Sequence, residues 1–177
     1  MKKIILFLAC LLTPMLSFAV SLQDIRDNPD IYKLVFSSAK EEEYIDINSI
    51  QSIRYAPPYY TINATAYAVY YNQGLITVYD NQYSYDLTRS LRALVKNYPR
   101  ESVISELKKD TGLNWRAQRE SVYDFDGILK MNVTLDPTQI NVFSPCHWAS
   151  PSYQAANFIF LQVYNMYFNF PIKGQTF

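Results

Sequence analysis

Cys146 and His147 stand side by side, and His147 is the single histidine of the 177-residue chain. Any histidine-dependent catalysis has to run through that position. Neighbours in an extended segment point to opposite faces, whereas a base must come within hydrogen-bonding reach of the thiol it activates. The pair therefore reads as structural, with Cys146 a small buried residue and His147 beside Trp148. One cysteine and one histidine do not make a zinc ligand set. Asp124-Phe125-Asp126-Gly127 has some look of a calcium loop, but its glycine comes too early. Leu135 also stands where the closing bidentate carboxylate belongs, so the tetrapeptide reads as a β-turn. Four scattered glycines leave no P-loop and no dinucleotide fingerprint. Carboxylate pairs of the glycoside-hydrolase kind are defined in space rather than in sequence, and no pair is singled out. The expectation is no catalytic residue, no cofactor and no metal, with any binding residues unassigned.

The elements that would carry a site are mostly strands. Tyr32-Lys33-Leu34-Val35-Phe36 alternates, with Tyr32, Leu34 and Phe36 on one face. Lys40-Glu41-Glu42-Glu43 reads as a charged, solvated turn, and Tyr44-Ile45-Asp46-Ile47 resumes strand character. Ala56-Pro57-Pro58 marks a break. A long hairpin follows: Tyr60, Ile62, Ala64, Ala66, Ala68 and Tyr70 share the face expected to look inward. Asn72-Gln73-Gly74 supplies its turn, since glycine accepts the positive φ of a short loop. Leu75 to Tyr85 is the return strand. A second hairpin runs through Ser121, Tyr123 and Phe125, turns at Asp126-Gly127, and returns with Leu129, Met131, Val133 and Leu135 alternating. Asp136-Pro137 closes it.

Between the hairpins the period changes. Leu87, Leu91, Leu94, Val95 and Tyr98 recur at helical spacing, and Pro99 ends the run. Val103, Ile104 and Leu107 form the face of a second helix, with Lys108 and Lys109 in its last turn and Gly112 as its cap. Near the carboxyl end, Ser150-Pro151 opens a long helix, because serine caps free amides and proline is pre-set for the first helical position. Ala155, Phe158, Ile159, Gln162, Val163, Met166 and Tyr167 line one side. Ala156, Phe160 and Tyr164 make the opposite side apolar too, so the helix from Ser152 to Phe168 should be buried on more than one side, with Pro171 stopping it. A second subunit is one way to cover the surplus, which makes a homodimer an expectation, with Phe160 at the contact. The fold class expected is α+β: an antiparallel sheet of hairpins packed by a long C-terminal helix, with a helical insertion in mid-chain.

The amino end has the three parts of a secretory signal. Met1-Lys2-Lys3 is basic, Ile4 to Phe18 is mostly apolar, and Ser17-Phe18-Ala19 places small residues at the −3 and −1 positions of a peptidase site. Residues 1–19 are read as a signal peptide and 20–177 as one domain beginning at Val20, exported to the periplasm, the cell surface or the exterior. Leu8-Ala9-Cys10 offers a partial lipobox, but Phe7 stands where an aliphatic residue is preferred. With Cys10 removed, Cys146 has no intramolecular partner. The apolar run is too short to span a bilayer comfortably, so no transmembrane span is expected in the mature chain. The whole chain carries 16 basic and 16 acidic side chains, and removing Lys2 and Lys3 leaves the remainder slightly acidic. No basic patch stands out, which argues against nucleic acid. Lys173 and Gln175, alternating with Phe177, argue against an outer-membrane barrel, where charge on the lipid face is unfavourable.

Tyr32 to Phe36 followed by Tyr44-Ile45-Asp46-Ile47-Asn48-Ser49-Ile50 resembles the opening of the bacterial surface-adhesin protein E family. Tyr123-Asp124-Phe125-Asp126-Gly127 resembles the late hairpin of such chains, and Pro151-Ser152-Tyr153 resembles the start of their terminal helix. The lone Cys146 and the insertion-like stretch Leu87-Trp115 depart from the pattern. The resemblance implies a non-catalytic surface module that adheres to a host matrix protein or glycan. A Tyr-rich sheet face or the inserted segment would serve as the contact, since tyrosine offers amphipathic area at low entropic cost. An envelope hydrolase using carboxylates or Cys146, and a periplasmic assembly factor, are the alternatives.

Overall fold

The computed structural model describes residues 20–170, apart from the side chains of Pro137 and Gln139. The expected signal peptide, Cys10 and Pro171 lie outside the described residues. A short helix α1 (Leu22–Asp27) is followed by strands β1 (Tyr32–Ser37), β2 (Glu41–Asp46), β3 (Gln51–Ala56), β4 (Tyr59–Tyr70) and β5 (Leu75–Asp86). Helices α2 (Leu91–Asn97) and α3 (Val103–Lys109) precede β6 (Leu113–Asp124) and β7 (Leu129–Val133). The single turn α4 (Pro137–Ile140), the two-residue β8 (Ser144–Pro145) and helix α5 (Pro151–Tyr164) complete the order. The eight described strands form one antiparallel sheet in the order β1-β2-β4-β5-β6-β7, with β3 beside the first half of β4 and β8 beside the first half of β6. The fold is α+β, an antiparallel sheet with a C-terminal helix packed on it.

Period-two patterning explains the centre of the sheet. Tyr60, Ile62, Ala64, Ala66 and Ala68 of β4 face α5 and are buried, as the alternation requires, and Tyr83 and Tyr85 of β5 stand beside them. Gly74 takes a φ of 65° in the turn between these strands. The other sheet face is not simply wet. Tyr44, Tyr67, Val69 and Ile76 are buried there beneath Leu22 and Ile25 of α1. Helix α1 is begun by a capping box in which Ser21 and Asp24 satisfy each other's amide.

Several expectations need correction. Glu41 to Glu43 do not form a solvated turn; they are the first half of β2. In β1 the buried residue is Val35, while Leu34 is exposed, and the ladder with β2 is irregular between Leu34 and Phe36. Leu113 to Trp115 belong to β6, so the insertion between β5 and β6 ends before them. Leu91, Leu94, Val103 and Leu107 make a small core there, whereas Val95 and Ile104 stay exposed. Gly112 has a φ of 69° but lies beyond the α3 cap, which is Asp110. A Cβ on Gly112 would come within 2.8 Å of the Arg89 Cβ. Leu129 and Met131 alternate as predicted but are about half exposed, because β7 is an edge strand that no described helix covers on that face.

Helix α5 begins as its sequence demands, the Ser150 hydroxyl accepting the Tyr153 amide at 3.2 Å. It ends earlier than expected, at Tyr164, where Asn165 adopts a left-handed conformation. Tyr153 to Phe160 are buried without interruption. The covering comes from this chain: the Phe160 ring packs against Tyr60, Tyr85, Tyr164 and Phe168 with centroids 4.7 to 5.6 Å apart. Phe160 is 1% exposed. It is therefore enclosed by its own chain and not available as a subunit contact, whereas Tyr167, on the other side of the expected helix, is 50% exposed. No helix among the described residues is long and apolar enough to cross a membrane.

Candidate functional site

Strand alternation places Glu41, Glu43 and Ile45 on the α5 side of β2, and Glu42 and Tyr44 on the other. Ile45 is fully buried in the main core. Glu43 stands beside Ala68 of β4, and Glu41 beside Tyr70. The small side chain of Ala68 leaves room above the sheet that a larger residue would fill, whereas Ala64 and Ala66 are packed into the main core. Pro151 and Ser152, at the start of α5, roof that room from one side. The result is a cleft of about 190 Å³, with Glu41, Glu43, Tyr70, Tyr79, Asn81 and Trp115 in its walls.

The Glu43 carboxyl is enclosed yet still reached from the cleft. Burial, with the Glu41 charge adding to it, pushes the carboxyl up to about 8. Among the described residues none gives it a hydrogen bond or an ion pair. Asn81 is 4% exposed; its amide nitrogen donates to the Tyr83 hydroxyl at 3.2 Å, and its Oδ1 is buried without a hydrogen-bond partner. Tyr79 and Trp115 meet edge to face, centroids 6.4 Å apart and planes at 79°. The hydroxyls of Tyr70 and Tyr79 are paired, and burial raises both phenols. Glu120, facing Tyr79 across the β5–β6 ladder, is also raised by burial. Among the described residues no lysine, arginine or histidine lines the cleft.

Cys146 and His147 are separated as their adjacency implied. Cys146 is buried in the core, while His147 is exposed. The Cys146 backbone is fixed to Leu113 and Thr111. Burial pushes its thiol up to about 12, outweighing a hydrogen bond with Ser152, so the thiolate needed for nucleophilic attack is not formed near neutral pH. Asp124 acts as the head of a tight turn, its Oδ1 accepting the Asp126 and Ile128 amides.

The tyrosines divide between surface and core, Tyr55 and Tyr59 of β3 and β4 being exposed. Tyr44, Tyr60, Tyr67, Tyr83, Tyr85 and Tyr153 are core residues. On the face opposite the cleft, Glu42 accepts from Tyr44 at 2.7 Å, from Tyr71 and from Arg26 of α1. Arg26 in turn donates to Tyr71 at 2.6 Å. That acid is consumed in docking a helix, and the cleft holds the pair that is not. None of the cleft residues was identified from the sequence. One signal was present: Glu43 lies two residues before Ile45, so a buried Ile45 puts Glu43 on the inward face. Comparison of the chain with protein-family models, with curated proteins and with solved structures found no match.

Proposed function

We propose that the chain is an exported, non-catalytic binding module, adhesin-like in recognising its ligand without turning it over, and that recognition takes place in the cleft above β2, β4 and β5. The observation that carries this reading is the unpaired Glu43 carboxyl set among Tyr70, Tyr79 and Trp115. Small-molecule sites combine apolar walls with a few convergent polar groups, and the cleft has that composition. The one histidine is not among the residues that line it, and the buried Cys146 thiol is held protonated. Export is supported by Lys2-Lys3, the apolar run and Ser17-Phe18-Ala19. Amino-terminal sequencing of the exported chain is expected to begin at Val20, and a lipid-modified Cys10 there would overturn that part. For the module itself, arrays of matrix proteins and glycans are probed with wild type and with Ala68→Leu, which fills the cleft. Binding that Ala68→Leu abolishes supports the reading. Binding unaffected by Ala68→Leu would move the site elsewhere.

One observation favours a hydrolase as the second reading. Glu41 and Glu43 share a strand face, and a carboxyl held protonated near neutral pH beside a second acid is an arrangement that general acid catalysis uses. Turnover of glycoside or ester substrates that Glu43→Gln abolishes would establish it in place of the binding module.

A further inference from the structure

We propose that the cleft binds an organic ammonium group, the Glu43 carboxylate pairing with its charge while the rings of Tyr70, Tyr79 and Trp115 surround its alkyl portion. The proposal rests on the reading of the cleft as a binding site and names its ligand class.

Three features of the cleft select a cation. Its charge is of one sign: Glu41 and Glu43 lie in the wall, Glu120 stands opposite Tyr79, and no basic side chain among the described residues lines the space. Its walls are aromatic, and Tyr79 and Trp115 meet nearly at right angles, forming a corner. A cation seated against such ring faces is drawn by their quadrupoles, more strongly where water is excluded. Two polar groups of the wall lack partners. The Glu43 carboxyl has no partner among the described residues, and the buried Asn81 Oδ1 has none either. An anion would meet no charged donor and would oppose ionisation of Glu43, whereas an ammonium favours the ionised carboxylate and brings donors to it. Size narrows the class further. A cavity of about 190 Å³ is below the ~300–1,000 Å³ of drug-sized pockets, and suits the end of an alkylamine or of a lysine side chain.

Charge balance gives the proposal a distinctive signature. The titratable groups about Glu43 and the cleft are Glu41 on its own strand, Tyr70 on β4, Tyr79 and Tyr83 on β5 and Cys146 ahead of α5, with Glu120 on β6 beyond Tyr79. Tyr70, Tyr79, Tyr83 and Cys146 are shifted upward by burial and stay neutral near pH 7, and none of the six is a cation. Glu43 therefore begins mostly protonated at pH 7 and must release its proton to pair with an ammonium. Binding is expected to expel close to one proton at pH 7 and to tighten as the pH rises toward about 8. The tightening stops above that point, because the free protein is then already ionised.

Isothermal titration calorimetry of residues 20–177 tests this, using two buffers of different ionisation enthalpy. The probes are butylammonium chloride, a short lysine-containing peptide, butanol and sodium butyrate. Butylammonium or the lysine peptide should bind with proton release, whereas butanol and butyrate should not. Tight binding of butylammonium alone identifies a free amine as the source, and preference for the peptide identifies a lysine on a protein partner. Glu43→Gln, nearly identical in shape, should lower the affinity about tenfold or more, and Ala68→Leu should abolish it. Equal binding of butanol and butylammonium would overturn the cation and leave the binding module standing. So would an array signal that Ala68→Leu abolishes while both ammonium probes fail to bind. Ammonium binding that survives Ala68→Leu would overturn both.

Discussion

The Asn169 carboxamide oxygen accepts the main-chain N–H of Leu91, the first residue of helix α2, at 2.7 Å across 78 positions of sequence. The same side chain donates to the Thr111 carbonyl at 2.9 Å, and the Asn169 backbone N–H donates to Asn157 of α5 at 2.9 Å. One buried residue beyond the terminal helix thus ties both ends of the insertion to the core. Asn169→Ala would leave an amide and a carbonyl buried without partners, at about 1–3 kcal/mol for each such group. Urea denaturation is expected to show a loss of roughly 3 kcal/mol, and a change below 0.5 kcal/mol (about the scatter of surface substitutions) would mean the insertion is anchored by other contacts.

Helix α5 is enclosed by its own chain. Phe158→Ala and Phe160→Ala should each destabilise by about 3–5 kcal/mol, since both rings are fully buried. Phe160→Asp should prevent folding, because it puts an unpaired charge among four rings. Circular dichroism distinguishes this from a surface role: a folded Phe160→Asp variant would place Phe160 outside the core.

Glu43 makes stability depend on alkaline titration. Its carboxyl is held at about 8 in the folded chain, against an ordinary value of 4.5. A raised folded pKa favours the folded state fully below about pH 4.5, and that contribution is lost as the pH climbs through about 8. Thermal melts of the wild type should therefore fall over this window. Glu43→Gln, which cannot ionise, should flatten that decline and melt higher than wild type at pH 9. Parallel pH profiles for the two proteins would show that Glu43 is not enclosed.

Glu42 works in the opposite sense. Burial alone would raise its carboxyl, but hydrogen bonds from Tyr71, Tyr44 and Arg26 outweigh burial and hold it below its ordinary value. The associated stability is present above about pH 4.5 and disappears as the pH falls through the lowered value. Tyr71→Phe removes one donor to the carboxylate and one acceptor for Arg26. It should weaken the docking of α1 by about 1–2 kcal/mol, read as faster proteolysis within Leu22–Asp27. Unchanged proteolysis would show that Leu22 and Ile25 suffice to hold the helix.

What could be read from the sequence was what neighbours along the chain decide. The alternation from Tyr60 to Tyr70 determines which side chains share a face, the glycine at 74 permits the turn, and Ser150-Pro151 starts a helix wherever the rest of the chain lies. Each depends on backbone geometry within a few residues. The layers that cover each face were not decided locally. Leu129 and Met131 alternate as cleanly as Ile62 and Ala64, yet only the latter pair lies under a helix. Glu41-Glu42-Glu43 carries no apolar pattern and so resembled a solvated turn. Tertiary structure made two different sites of it: Glu42 is turned toward Arg26 and Tyr71 on one face of the sheet. Glu43 is turned toward the space that Ala68 of β4 leaves beneath the start of α5. Burial is a property of what packs across a residue, and for Glu43 the packing partners come from β4, β5, β6 and α5, as far as 109 positions away at Ser152.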